Sequence, residues 1–148
     1  RWLPWPLRKR LGRIFGPFIL WVMRSMDPIP VYRNSIKDIM KTIALSVEAL
    51  DADDNILIFP ENPFATDNRY VVGGVGEFFE GFVHIAKNYC RGTGNTLVFH
   101  SVYASSKART ISFSEAIEFD AAAPFNEERD RICRYLHDEM VRMHREQG

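Results

Sequence analysis

Ile56-Leu57-Ile58-Phe59-Pro60-Glu61 sets four consecutive apolar residues between the turn-forming stretch Asp51 to Asn55 and a proline. A short, unbroken apolar run bounded by turn residues has the pattern of a strand buried on both faces, and Pro60 ends it. Working upstream, Asn34 and Ser35 precede Ile36, Ile39, Met40, Ile43, Ala44, Val47 and Leu50 at helical spacing, with Ser35 and Asp38 offering a cap and a first-turn acid. Downstream, 62–76 is rich in Pro, Asn, Asp and Gly and reads as an irregular loop. A helix is predicted from about 77 to 91. Gly92, Gly94 and Asn95 then turn the chain into a second apolar run, Thr96 to Tyr103. Residues 105–108 read as a turn, Ile111 and Phe113, then Ile117 and Phe119, as two short strands. A last helix after Asn126 places Ile132, Tyr135, Leu136, Met140 and Met143 on one face. Helix, buried strand, helix, buried strand predicts one α/β domain over 1–148, with a mixed, partly parallel central sheet flanked by helices.

Composition bounds the function. The chain has 148 residues, 46% apolar and 26% charged, which excludes disorder, and its two Cys cannot build a disulfide framework. With 19 basic and 19 acidic side chains the net charge is zero, so the overall basic footprint of a nucleic-acid binder is missing and no nucleic-acid partner is expected. The charge is unevenly placed. Residues 1–33 hold seven Lys and Arg against Asp27 alone, leaving the rest net acidic. There Trp2, Trp5, Arg8, Lys9, Arg10 and Arg13 alternate with other bulky apolar residues, and Ile14 to Met23 is uncharged. Ten residues are half of what a transmembrane helix needs, so no transmembrane helix is expected. Residues 1–24 suit either an anionic membrane interface, through those six side chains, or a core-packed helix with a solvated basic face. No secretory cleavage pattern follows the apolar run, and an intracellular protein with reduced thiols is expected.

Most constellations tested for chemistry fail. Gly73, Gly74 and Gly76 lack the Lys-Ser or Lys-Thr of a phosphate loop and are followed by Glu77 and Glu80, so a flexible loop is the better reading. Cys133 and His137 share a helical face at spacing four, but two ligands do not make a metal site, and none is expected. His84 and His100 have no nucleophile signature around them. What remains is Phe59-Pro60-Glu61 at the carboxyl end of a predicted strand, where ligand loops gather in α/β sheets. Ile29-Pro30-Val31-Tyr32-Arg33 joins it, ending in a side chain suited to gripping phosphate. A loop-capping Glu61 and a surface Arg33 are the plain alternatives.

The order of these blocks resembles the phospholipid/glycerol acyltransferase family, of the lysophosphatidic acid acyltransferase type. Ile29 to Arg33 resembles its phosphate-contacting block and Ile58-Phe59-Pro60-Glu61 its Phe-Pro-Glu-Gly block. Glu80-Gly81-Phe82 with Ala86, and Val98 to Tyr103, fall where the family has a helix start and a Val-Pro-Val strand. Asn62 and Pro63 stand in place of Gly and Thr, and Ser101 in place of Pro. The resemblance implies acyl transfer from acyl-CoA or acyl-carrier protein to a hydroxyl of a lysophospholipid or glycerol phosphate, without a cofactor. It also implies an acceptor site built from Arg33, Phe59, Pro60, Glu61 and Asn62, on the cytoplasmic side of a membrane as a peripheral protein.

The family's catalytic His-x-x-x-x-Asp block is missing. His84, His100 and His137 are followed at that spacing by Tyr89, Ser105 and Arg142. Since the block precedes the Arg block in the family, and the chain opens with Arg1 rather than Met, the expectation is a domain incomplete at its N-terminus. The catalytic pair would then lie upstream of Arg1, and the isolated chain would be inactive. The alternative is a lipid-binding relative of the same fold that catalyses nothing.

Overall fold

The computed structural model describes residues 15–22, 24–31, 35–61 and 75–147. It divides into two compact units, Arg1–Thr42 and Ile43–Gly148. In the first, α1 covers residues 15–22 and 24–25, with Phe18 and Trp21 stacked at 6.2 Å. The side chains of Phe15, Phe18, Ile19, Leu20 and Trp21 are exposed, as is Met26 just beyond. Among the described residues no helix is long and apolar enough to cross a membrane. Helix α2 (Ile36–Asp51) begins as its sequence predicts: the Asp38 N–H donates to Ser35 Oγ at 3.2 Å, and Ser35 Oγ donates back to the Asp38 carboxylate at 2.8 Å. This reciprocal cap satisfies a donor that the helix itself cannot. Thr42 Oγ1, donating to Pro30 O at 2.9 Å, ties the extended segment before the cap to the helix.

In the second unit α2 ends in the predicted turn, with Asp53 in the left-handed region at φ 64°. The next segment departs from expectation. Residues 56–59 are not a strand, and Leu57, Ile58 and Phe59 are exposed, Phe59 at 84%. A strand exists through its lateral hydrogen bonds, and among the described residues no strand lies beside this run. Backbone pairing begins only at its end. The Phe79 N–H donates to Pro60 O at 2.8 Å, and Glu61 forms an isolated antiparallel bridge with Phe78.

A single 3₁₀ turn, Glu80–Phe82, leads into α3 (Val83–Thr93), so the helix predicted from 77 starts a few residues later. Gly94, at φ 78°, stops α3 with its N–H on Cys90 O at 2.9 Å, a left-handed cap that costs glycine nothing. The run after it divides into β1 (Val98–Phe99) and β2 (Val102–Ser105), followed by β3 (Thr110–Phe113) and β4 (Ile117–Glu118). Strand β1 pairs with β4 and β2 with β3, both antiparallel. The expectation of a partly parallel sheet is thus not met among the described residues, and the reason is local. Only residues 106–109 separate β2 from β3, a hairpin-length connection, whereas a parallel pairing needs a crossover of a dozen or more residues.

The break between β1 and β2 has a polar cause. Ser101, buried, still accepts the Ser114 N–H at its carbonyl at 2.9 Å, but its own N–H goes to Ser114 Oγ at 2.8 Å and its hydroxyl to Leu136 O at 2.7 Å, so a side chain takes one place in the ladder. A proline at 101 could not make the N–H bond to Ser114 Oγ. Helix α4 (Phe125–Gln147) closes the unit. Its Ile132, Cys133 and Leu136 pack with Val83 and Ala86 of α3 and with Ile117 and Phe119, forming the core. The mixed helix-and-sheet class is as expected, with the sheet reduced to two antiparallel pairs.

Candidate functional site

Glu61 is the site residue whose surroundings the structure describes most fully. Its backbone is fixed by the bridge to Phe78, and Phe78 in turn lies edge-on to His137 of α4 at 5.4 Å between ring centroids and packs against the core cluster. A residue on an irregular segment is in this way tied to the most rigid part of the unit. The side chain is fixed as well: Glu61 Oε1 accepts the N–H of Gly76 at 2.7 Å. A carboxylate accepting a backbone N–H makes a charge-assisted bond, stronger than a neutral one. Among the described residues the second oxygen, Oε2, carries no hydrogen bond, and the residue is exposed.

The other predicted site residues are placed unevenly. Phe59, two positions before Glu61, is exposed rather than core, and Pro60 is half-buried with its carbonyl committed to Phe79. Arg33 and Asn62 lie outside the described residues, as do Trp2, Trp5, Arg8, Lys9, Arg10 and Arg13. Gly76, read from sequence as part of a flexible loop, is instead buried and holds Glu61. Its only sequence signal was a glycine in a Gly-rich stretch fifteen residues downstream of the Phe-Pro-Glu block, which does not reveal a close approach.

Cys133, His84, His100 and His144 each have a structural setting. The Cys133 thiol is buried in the core, and desolvation pushes its pKa up to about 11, which keeps it protonated and inert. His84 lies against Phe125, and burial there, followed by the charges of Lys87 and Arg129, lowers its pKa. His100 Nδ1 is within 3.1 Å of Ser114 O, and His144 Nδ1 within 3.1 Å of the Tyr103 hydroxyl. Among the described residues no group of three His, Cys, Asp or Glu side chains is placed to hold a metal ion.

Comparison with known proteins gives one match. The family model described as Acyltransferase matches residues 6–103, which takes in both the Arg33 and the Glu61 blocks. No curated protein and no solved structure matches the chain.

Proposed function

This chain belongs to the glycerolipid acyltransferase family, and we propose that it forms the acceptor-binding portion of an enzyme that acylates a lysophospholipid or glycerol phosphate. The observation that carries the reading is the family match across both blocks; the exposed Glu61 carboxylate, held by the Gly76 amide, supports it. In the reaction the acceptor hydroxyl attacks the thioester carbonyl of acyl-CoA or acyl-carrier protein. A C–O bond forms, the C–S bond breaks, and the hydroxyl proton passes through a base to the departing thiolate. Within this scheme Arg33 grips the acceptor phosphate through its guanidinium fork, and Glu61 Oε2 accepts a glycerol hydroxyl. Phe59, Pro60 and Asn62 complete the set of residues assigned to the acceptor in this reading. Their contribution is positioning, since holding two reactants in line replaces a bimolecular encounter by an effectively unimolecular step. The base lies outside these residues, because no His of this chain is followed by Asp at the family's spacing.

The same reading puts the protein peripherally on the cytoplasmic face of a membrane, where its lipid substrates are. Trp2 and Trp5 would sit at headgroup level, and Arg8, Lys9, Arg10 and Arg13 would face anionic lipid, each contributing about 1 kcal/mol near such a surface. The exposed apolar side chains of α1 support this placement. Reversing the charge at Arg8, Lys9 and Arg10 is then expected to weaken sedimentation with anionic vesicles in a salt-dependent manner, and equal binding would rule the basic start out as the contact.

The missing His-x-x-x-x-Asp block favours one other reading, a relative that binds lipid without transferring an acyl group. The experiment that decides uses the full-length protein with lysophosphatidic acid and acyl-CoA. Arg33→Ala and Glu61→Ala are each expected to lower kcat/KM for the acceptor by about tenfold or more at saturating donor, with thermal stability unchanged. Transfer at the wild-type rate by both variants would remove the site assignment. Lipid binding with no transfer by the wild-type protein would establish the other reading.

A further inference from the structure

We infer that Gly76 is the positioning residue for the Glu61 carboxylate, and that it is glycine because no side chain can occupy the space the carboxylate takes. The inference rests on the assignment of Glu61 to the acceptor made above. Two observations carry it. The Gly76 N–H donates to Glu61 Oε1 at 2.7 Å, the one hydrogen bond made by that side chain among the described residues. A Cβ on residue 76 would stand 2.7 Å from Oε1, 3.0 Å from Cγ and 3.3 Å from Cδ of the same glutamate. Real Cβ atoms do not tolerate the first of these distances.

The alternative explanation for a glycine, a left-handed backbone, does not apply. Left-handed φ is found at Gly94, Asp27, Asp53 and Arg109 but not at Gly76. Alanine is therefore allowed at 76 by its backbone, and what must yield is the far end of a flexible side chain. The consequence separates positioning from folding. Gly76→Ala moves the carboxylate and breaks its bond to the amide, while the antiparallel bridge of Glu61 with Phe78 and the Phe79–Pro60 bond keep the backbone in place. With one oxygen held by the amide, Glu61 presents the other in a fixed direction; released, the carboxylate samples several rotamers and must be ordered again by each acceptor that binds.

The test has two readouts on the full chain, labelled with ¹⁵N. First, the chemical shift of the Gly76 amide proton is compared in wild type and Glu61→Gln. A proton donated to a carboxylate is more deshielded than one donated to a neutral amide oxygen, so it is expected to move upfield in Glu61→Gln. Second, binding of sn-glycerol 3-phosphate, the polar part common to the proposed acceptors, is measured for Gly76→Ala, Glu61→Gln and the double variant. Each single change is expected to weaken binding about tenfold, with the double no weaker than either, because both remove the same oriented acceptor.

Should Gly76→Ala fail to fold, Glu61→Asp replaces it, since its shorter side chain cannot keep both the amide bond and the outward oxygen; the same weakening is expected. An amide indifferent to Glu61 overturns the inference and leaves the acceptor reading standing. An amide that responds to Glu61 with wild-type binding by Gly76→Ala overturns it too. Wild-type binding by Glu61→Gln removes the acceptor reading itself, and the role of Gly76 with it.

Discussion

Glu128 offers the sharpest test of how the second unit is held together. Its side chain is 2% exposed in the first turn of α4, and its carboxylate accepts three bonds. The Asp120 N–H reaches Oε1 at 2.7 Å, Arg131 Nε reaches Oε2 at 2.7 Å, and Arg131 Nη2 reaches Oε1 at 2.6 Å. The same Nη2 also donates to Glu118 O, so one carboxylate joins β4, the turn after it and α4. Glu128→Ala leaves the Asp120 N–H without its charged acceptor, a loss of roughly 1.5–3 kcal/mol. Arg131 is half exposed and rehydrates, so its pairing adds about 0–1 kcal/mol. A lost first-turn charge adds roughly 0.3–1 kcal/mol. Together these predict a destabilisation of about 2–5 kcal/mol, or about 10 °C in Tm. Urea unfolding of Glu128→Ala and Glu128→Gln against wild type measures it.

The pH dependence of that difference is a second handle. The hydrogen bonds from Arg131 hold the Glu128 carboxyl below its ordinary value, burial opposes them, and the Asp120 N–H and the Arg131 charge add to the lowering. The unfolded chain thus takes up this proton more readily than the folded one. The stabilisation is present above the ordinary carboxylate range and is lost as pH falls through it toward the lowered folded value. The gap between wild type and Glu128→Gln should narrow from pH 7 to 3. A loss under about 0.5 kcal/mol at pH 7, typical of an ordinary surface substitution, would refute the reasoning.

Two other outcomes follow from single residues. Gly94→Ala should cost about 1–2 kcal/mol, since nothing lies within 4 Å of the added Cβ and the whole cost is the left-handed φ of 78°; Gly92→Ala, inside α3 and equally open, should be neutral or stabilising, and similar losses at both positions would contradict this. Cys133, its pKa pushed up to about 11, should resist thiol reagents at pH 8 in the folded protein and react on unfolding, and peptide mapping that finds it labelled rapidly in the native state would show the core to be open there.

Features decided by neighbours in the chain were legible in the sequence. Ser35 and Asp38 form their cap across three residues, Gly94 ends α3 where a glycine-rich turn was expected, and Glu127 and Glu128 lie in the first turn of α4. Features decided by distant partners were not. The apolar run 56–59 has the composition of a buried strand, but burial needs a neighbour on each side, and a run of side chains carries no record of one. The run 96–103 reads as strand-forming and so do 111–113 and 117–119, but their antiparallel pairing with one another is not written in either run. The departure at Ser101 could be seen in sequence, but its effect, one ladder bond diverted to Ser114 Oγ and a hydroxyl bond to Leu136 added, depends on where those residues come to lie.

Glu61 shows how a residue can be exposed as the sequence argument expects, yet for a different cause. The sequence argument placed it at the carboxyl end of a buried strand, where sheet geometry delivers a side chain to a crevice. That strand is absent among the described residues, yet the residue is exposed and oriented. Its orientation comes from the opposite direction in the chain. Phe78 and Phe79 pair with residues 60 and 61, Phe78 meets His137 of α4, and the Gly76 amide holds the carboxylate. The rigidity of the site is therefore borrowed from the α3–α4 core and not from residues 56–59. It follows that polar substitutions at the exposed Leu57 should leave the Gly76–Glu61 contact intact, whereas loosening Phe78 should release it. The segment 75–79 then controls the orientation of the Glu61 carboxylate, the group to which the proposed acceptor role is assigned.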